Sequence, residues 1–415
     1  MGKLLTLGVV LLLSLSTLSA LESEMQTMRN DSVRAAIDNF AKLEEKEVSE
    51  VNRVKKMFRK GKASGQLKLM YSEAAQVGEA YASAIGGIIK YELAEYRGFN
   101  AGAAVYASHD IPLLSGEGER RSTEISSGTG KHADMSEAFL NYKYEKLNFR
   151  AGRQVIDTPL ADSDNIRMIQ NSFEAYIATY DIEGFELMAG NLQRWHGTDA
   201  GLELGWVETG SKGTNFAGLT YADGYELDIW YYNITDFAQV AYFDLGIEYK
   251  IDETFLFHAM LQYLKEGELS NSSISTSIYG LLVELVAYDI GFNVALNKSE
   301  KRAGKESFSG FGGGALFTNM DTMIIDAITL DREALSYVVG LVYTYKDFEF
   351  LYAYGDFMGE SNSMGEKEHI VEQNLGFGYN FNEEFVAGLL YGAQENKLDS
   401  TQNWDRIQAS LNYNF

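Results

Sequence analysis

Along most of this chain apolar and polar residues alternate with a period of two, and that period constrains the fold more than any other feature. The last ten residues show it: Ile407, Ala409, Leu411, Tyr413 and Phe415 are apolar or aromatic, whereas Arg406, Gln408, Ser410, Asn412 and Asn414 are polar. Such a segment is a strand with one greasy and one wet face. One strand of a soluble sheet reads the same way. Repetition along the chain, with no apolar run long enough for a membrane helix, points instead to a transmembrane β-barrel. In lipid every backbone group needs a partner, so the sheet has to close on itself and the final strand is expected to pair with the first.

Composition fits long ladders. Forty Gly, 26 Tyr and 23 Phe stand against 2 Pro, and both prolines, Pro112 and Pro159, fall in expected loops. Pro removes a ladder donor, while Tyr suits a membrane-water interface. The absence of Cys excludes disulfides, thiolate metal sites and a Cys nucleophile. Net charge is −24, unevenly shared: residues 1–62 hold 7 Lys and 4 Arg against 8 Asp plus Glu, so subtracting that +3 leaves −27 on residues 63–415. Such a field repels nucleic acid and attracts cations, which excludes nucleic acid as a partner.

Three regions follow. Residues 1–20 have a basic start at Lys3, a short apolar core from Leu4 to Leu13 and small residues up to Ala20, the pattern of a cleaved secretory signal peptide. Residues 21–62 switch to a helical period, with Val33, Ile37, Phe40, Leu43, Val51, Val54 and Phe58 as an intermittent stripe, and are read as a helical periplasmic extension. Residues 63–415 form the barrel. Short turns are expected near Arg97-Gly98, Glu145-Lys146, Asp181 to Gly184, Asp223-Gly224, Asp252-Glu253, Tyr288-Asp289, Lys346-Asp347 and Asn380 to Asn382. Longer loops are expected near 72–83, 109–135, 156–171, 194–214, 267–274, 299–333, 357–368 and 396–403, with a short link at Thr235 to Ala238. This asymmetry is that of short periplasmic turns and long external loops, and it gives an all-β barrel of about 18 strands. Parity then assigns faces: Ala241, Phe243, Leu245, Ile247 and Tyr249 to lipid, Tyr242, Asp244, Gly246 and Glu248 to a polar lumen.

One stretch carries a family pattern. Gly152-Arg153-Gln154 ends a strand, and Thr158-Pro159-Leu160, Ser163-Asp164-Asn165-Ile166-Arg167 and Ser172-Phe173-Glu174 follow in order. Together with Gly65-Gln66, Glu137-Ala138-Phe139-Leu140-Asn141-Tyr142 and Trp230-Tyr231-Tyr232, this resembles the OprD-like porins of Gram-negative outer membranes, over residues 54–415. One departure is Gln170, where the family often has Pro. The resemblance implies an 18-stranded passive channel for small, often charged solutes such as amino acids, small carboxylates and ions, narrowed by inward-folded loops with basic residues on one wall. It also implies outer membrane lipid, lipopolysaccharide and the barrel assembly machinery as partners, no cofactor, and an assembly that is either a monomer or a homotrimer. Tyr413 and Phe415 resemble the C-terminal assembly signal of such barrels.

Arg150, Arg153 and Arg167 are the candidate basic residues of a constriction, with Lys143 and Arg406 on lumen-facing parity; Arg153 shares parity with Phe149 and needs a bulge to face inward. Asp157, Asp162, Asp164 and Glu174 are the candidate acidic set, either facing the arginines across the pore or bracing the loop. The expected result is mild cation preference at the mouths and a basic wall that guides a carboxylate. Five scattered His residues make no ligand pair, so neither a catalytic site nor a metal site is assigned. Asp162-Ser163-Asp164 alone is a weak calcium signal. Gly310-Phe311-Gly312-Gly313-Gly314 lacks the Lys-Ser/Thr of a phosphate loop and reads as a flexible loop. The competing class is a structural or adhesive surface barrel with little channel activity.

Overall fold

The structure, a computed structural model, describes residues 53–415 apart from positions 77 and 253, so the expected signal peptide and the extension as far as residue 52 lie outside the described residues. Residues 53–59 are helical. They belong to a unit that ends at Lys60; a second unit, Gly61–Phe415, is the barrel.

Its strands run in order: β1 (Lys62–Gln76), β2 (Gly78–Glu92), β3 (Phe99–Asp110), β4 (Lys131–Tyr144), β5 (Leu147–Gln154), β6 (Ser172–Ile182) and β7 (Phe185–His196). The two-residue β8 (Val207–Glu208) extends the edge of β7 inside a loop. Then come β9 (Thr214–Ala222), β10 (Tyr225–Ile234), β11 (Ala238–Lys250), β12 (Phe255–Glu268), β13 (Ser277–Ala287) and β14 (Ile290–Ser299). The last five are β15 (Ala334–Tyr345), β16 (Phe348–Gly359), β17 (Glu368–Asn380), β18 (Phe385–Asn396) and β19 (Trp404–Asn414). Every neighbouring pair is antiparallel; β7 pairs with β9 past the short β8, and β19 pairs with β1. Eighteen strands therefore close the wall, an even number, with no free edge left in lipid.

Closure is made by residues already singled out for their alternation. Gln66 to Ala75 of β1 face Asn414 to Asp405 of β19 in unbroken register. The Gly65 and Phe415 backbones exchange both hydrogen bonds, at 2.9 and 3.0 Å, and Gln66 Nε2 donates to Asn414 Oδ1 at 2.9 Å. A Cβ on Gly65 would stand 2.7 Å from the Phe415 ring, so the glycine is what lets that ring lie over the seam.

Outward positions carry the greasy face: Leu245, Ile247 and Tyr249 on β11, Phe292, Val294 and Leu296 on β14, Phe385, Leu389 and Tyr391 on β18 are all exposed. At the short-turn end, ring pairs such as Phe99 with Tyr142, Phe185 with Tyr221 and Phe385 with Tyr413 sit 4.4 to 4.6 Å apart, as an interfacial girdle requires. Two of these turns, Arg97-Gly98 and Glu183-Gly184, hold both residues at positive φ, the primed geometry whose twist matches flanking strands. Leu389→Arg is expected to destabilise the barrel by about 2–4 kcal/mol, the cost of a charge deep on the lipid face; the midpoint of urea unfolding from vesicles measures it, and an unchanged midpoint would contradict the outward assignment.

The long loops lie at the opposite end. One expectation fails here: residues 72–83 are no loop, because β1 runs to Gln76 and β2 resumes at Gly78 in a hairpin paired down to Gln76 with Gly78. Small residues there (Ala74, Ala75, Ala80, Ala82, Ser83) hid the pattern, since Ala and Ser give little polarity contrast. Three loops turn inward. Loop 111–130 and loop 155–171 pack Ile125, Met168 and Ile169 against Met70 and Tyr106 of the wall. Loop 300–333 buries Phe311, Met323, Ile325 and Ile328 against β10 to β16. The apolar core of the molecule is thus inside the barrel, between loops and wall.

Candidate functional site

Where the three inward loops meet they frame a cavity of about 580 Å³, lined by Glu124, Asp164, Arg167, Asp199, Asp321 and Arg406 among others. The six come from five parts of the chain. Arg406 projects from β19, Glu124 from loop 111–130, Asp164 and Arg167 from loop 155–171, Asp199 from the loop after β7 and Asp321 from loop 300–333.

The wall fixes each loop by named bonds. Lys68 of β1 donates to Asn165 Oδ1 at 2.8 Å and to the Arg167 carbonyl, which sets the depth of loop 155–171. Glu124 accepts from Ser72 Oγ at 2.8 Å, from Gln408 Nε2 at 2.9 Å and from Arg406 Nη1 at 2.7 Å. Loop 300–333 is tied through Gln262 Nε2 to the Ala315 carbonyl at 2.6 Å, through Thr318 N to Asn297 Oδ1 at 2.9 Å and through Thr322 N to Glu372 Oε1 at 3.1 Å. Asp321 completes the anchorage by pairing with Arg406.

Charge is arranged in a consistent order. Arg406 is 3% exposed and Arg167 11%, whereas Glu124 is 29% exposed. The guanidinium groups are sunk behind Glu124 and packed beside the equally buried Asp321: Arg406 bonds Glu124 and Asp321, and Arg167 lies 3.9 Å from Glu124 and 4.0 Å from Asp321. Arg167 keeps one buried nitrogen, Nη1, without a hydrogen-bond partner. Burial works against the charged form of Glu124, but Arg406 and Arg167 together with the Ser72 bond outweigh it and hold the carboxyl below its usual range. Asp164 goes the other way: burial, then the neighbouring Asp199 carboxylate, lift it to about 6, with Arg167 opposing.

The structure separates the residues proposed from sequence. Arg167, Asp164 and Arg406 line the cavity. Asp157 and Asp162 instead cap the loop backbone, accepting from Ser163 N at 3.1 Å and Asp164 N at 2.8 Å, which bends the chain to present Asp164. Arg150 faces the lumen lower down, stacked 4.4 Å over Phe139 and bonded to Asn141, and Lys143 is exposed near the short-turn end. Arg153 and Glu174 do not line the opening. They pair across β5 and β6 on the parity of Phe149 and Tyr176, without a register shift between those strands, and they join Arg194 and Trp206 on the outward side.

Sequence reasoning missed Glu124, Asp199 and Asp321, which sit in loops where no period marks them. It also read Gly310 to Gly314 as a flexible loop, whereas that segment is packed against loop 155–171: a Cβ on Gly312 would stand 2.3 Å from Asn171 Nδ2 and 2.6 Å from the Asp162 carbonyl. Clustered glycines marked this close approach between two backbones. His132 and His196, 64 residues apart, meet at 3.2 Å beside Trp206, yet among the described residues no group of three or more His, Cys, Asp or Glu is placed to hold a metal.

A closed barrel, greasy outside and narrowed by its own loops to a charged opening, defines a channel of the outer membrane, a porin. The sequence model described as outer membrane porin, OprD family, matches residues 99–334, more than half of the chain, and the chain belongs to that family. OccAB2 of Acinetobacter baumannii has the same fold, with a TM-score of 0.74 at 15% identity over 87% of this chain and 99% of that one. OpdK of Pseudomonas aeruginosa, solved with vanillate, gives 0.72 at 15% identity over 86% and 99%. OccK8 (OprE) of Pseudomonas aeruginosa gives 0.70 at 13% over 86% and 99%. No curated protein shows a significant match to the chain.

Proposed function

We propose that this outer membrane porin is a passive, water-filled channel for small charged solutes, and that its constriction favours cations and the ammonium end of amino acids over free carboxylates. The supporting observation is the depth order of the charges: four carboxylates and two guanidiniums line the opening, both guanidiniums are buried together with Asp321, and the accessible members are the carboxylates Glu124 and Asp199. A solute at contact distance therefore meets carboxylate oxygen first, and an electrostatic preference of this kind survives the salt that screens the mouths. A basic wall that guides carboxylates, as the resemblance implies, needs free guanidiniums, and those of Arg406 and Arg167 are paired. Lipopolysaccharide surrounds such a barrel, and the assembly machinery would receive its closing strand by the face that carries Tyr413 and Phe415.

Reconstitution in a planar bilayer under a KCl gradient tests this. The expected reversal potential has the sign of potassium permeation; a chloride-selective channel would contradict the reading, and a silent barrel would favour the structural or adhesive class. Acidity gives a further expectation. A carboxyl with a pKa of about 6 is charged above that value and neutral below it, so cation preference should fall between pH 7 and pH 5 as Asp164 takes up its proton. Selectivity flat across that window would mean Asp164 does not face the permeating ion.

A further inference from the structure

The charged opening lies between two further cavities. On the long-loop side a recess of about 420 Å³ shares Trp195 and Gly310 with it, and on the short-turn side a chamber of about 270 Å³ shares Ile166 with it. The recess is aromatic: Trp195 and Phe311 meet edge to face at 5.8 Å, and Phe308 meets both Phe311 and Phe237 at 5.2 Å. The chamber is aliphatic, formed by Ile166 at the loop tip with Met70, Leu351 and Leu390 on inward positions of the wall. Glycines 376, 378 and 388, with Gln408 and Ser410, line much of the remainder.

Charge in the two flanking cavities has one sign. Glu208 and Asp236 are the charged residues lining the recess, and Glu349 is the one lining the chamber. A hydrophilic inorganic cation gains nothing from such apolar walls. An organic anion meets carboxylates in all three cavities. A molecule with an apolar or aromatic body and a cationic group satisfies both surfaces in each step, resting its body on ring or alkyl carbon while its charge stays near a carboxylate, with the ring faces of the recess adding cation–π attraction. Handing it on needs no detour, because Trp195, Gly310 and Ile166 are each shared between neighbours.

We infer that the three linked cavities form a binding path for amphipathic organic cations, the solute class this porin holds best. This inference rests on the cation-favouring reading above and narrows it from ions in general to cations with an apolar body.

Interruption of ion current through the reconstituted protein tests it with three probes: benzyltrimethylammonium, tetramethylammonium and p-toluenesulfonate. The benzyl cation is expected to interrupt current at a concentration at least tenfold lower than either of the others, since only it combines ring and positive charge. Trp195→Ala in the recess and Leu390→Asn in the chamber should each bring it towards tetramethylammonium; either shift alone supports the path, so misfolding of one variant leaves the other to decide. Equal interruption by the two cations, or stronger interruption by the sulfonate, overturns the inference while leaving a conducting porin in place. A barrel that passes no current overturns the channel reading, and this inference with it.

Discussion

Arg406→Leu is expected to give a channel with larger and noisier conductance, because it removes the cation that holds two loops to the wall at once. Arg406 and Asp321 are 3% and 6% exposed, so the variant leaves Asp321 buried and short of its partner, a loss of about 3–5 kcal/mol in pairs of this kind. That cost falls on loop 300–333, whose other ties (Gln262, Asn297, Glu372) lie on different strands and keep most of the loop in place. The segment around Asp321 should then exchange between positions, visible as current fluctuation on a planar bilayer. Pairing the change with Asp321→Leu, which removes the stranded charge, should quiet the channel again. Wild-type conductance and noise in the single variant would show that this ion pair does not set the constriction.

The second large effect concerns selectivity. Glu124→Gln reduces the excess of carboxylates over guanidiniums in the opening from two to one, and Glu124→Gln with Asp199→Asn removes it. A unit charge about 4 Å from a permeating ion in water contributes about 1 kcal/mol, favourable for potassium and unfavourable for chloride, so each step should lower the potassium-to-chloride permeability ratio by up to about thirtyfold at low ionic strength. Glu124 also covers Arg406 and Arg167, and its neutralisation turns two compensated guanidiniums towards the solute. The double variant is therefore expected to pass chloride at least as well as potassium. A reversal potential unmoved by either change would mean that the current takes a path away from this cavity.

The wall of the barrel was legible in the sequence because its signal is local. Leu245, Ile247 and Tyr249 alternate with buried Tyr242 and Asp244 within one strand, and lipid on one side and water or packed loop on the other leave that contrast in consecutive residues. The turns were legible for the same reason, down to the glycines that accept positive φ at 98 and 184. Where contrast vanished, in the Ala and Ser residues of the first hairpin, the reading failed. The opening was legible only in part. Arg167 and Arg406 could be proposed from a motif and from parity, but whether a guanidinium is free or spent depends on Glu124 and Asp321, and nothing in the neighbourhood of either residue says that it will meet β19. Arg153 shows the converse: parity alone argued against an inward position, and the pairing of β5 with β6 carries it outward beside Glu174.

The opening is also assembled from parts that the chain makes at very different times. Glu124 and Arg406 are separated by 282 residues, and Gln66 and Asn414 at the seam by 348, so the contacts that shape the pore are among the most distant in the sequence. Contacts of that range form late, since the loop-closure entropy of the whole intervening chain has to be overcome first. Hairpins such as β1 with β2 can pair early and cheaply. Until β19 docks on β1, however, Arg406 is absent from the lumen, and neither Glu124 nor Asp321 has the bond that Arg406 supplies. A partly zipped sheet therefore carries three long loops whose apolar residues (Ile125, Ile169, Ile325) are not yet enclosed by a complete wall. Completion of the ring and completion of the filter become one event, so a membrane containing this protein should hold either finished, selective pores or chains that have not yet become channels, with few leaky intermediates between them.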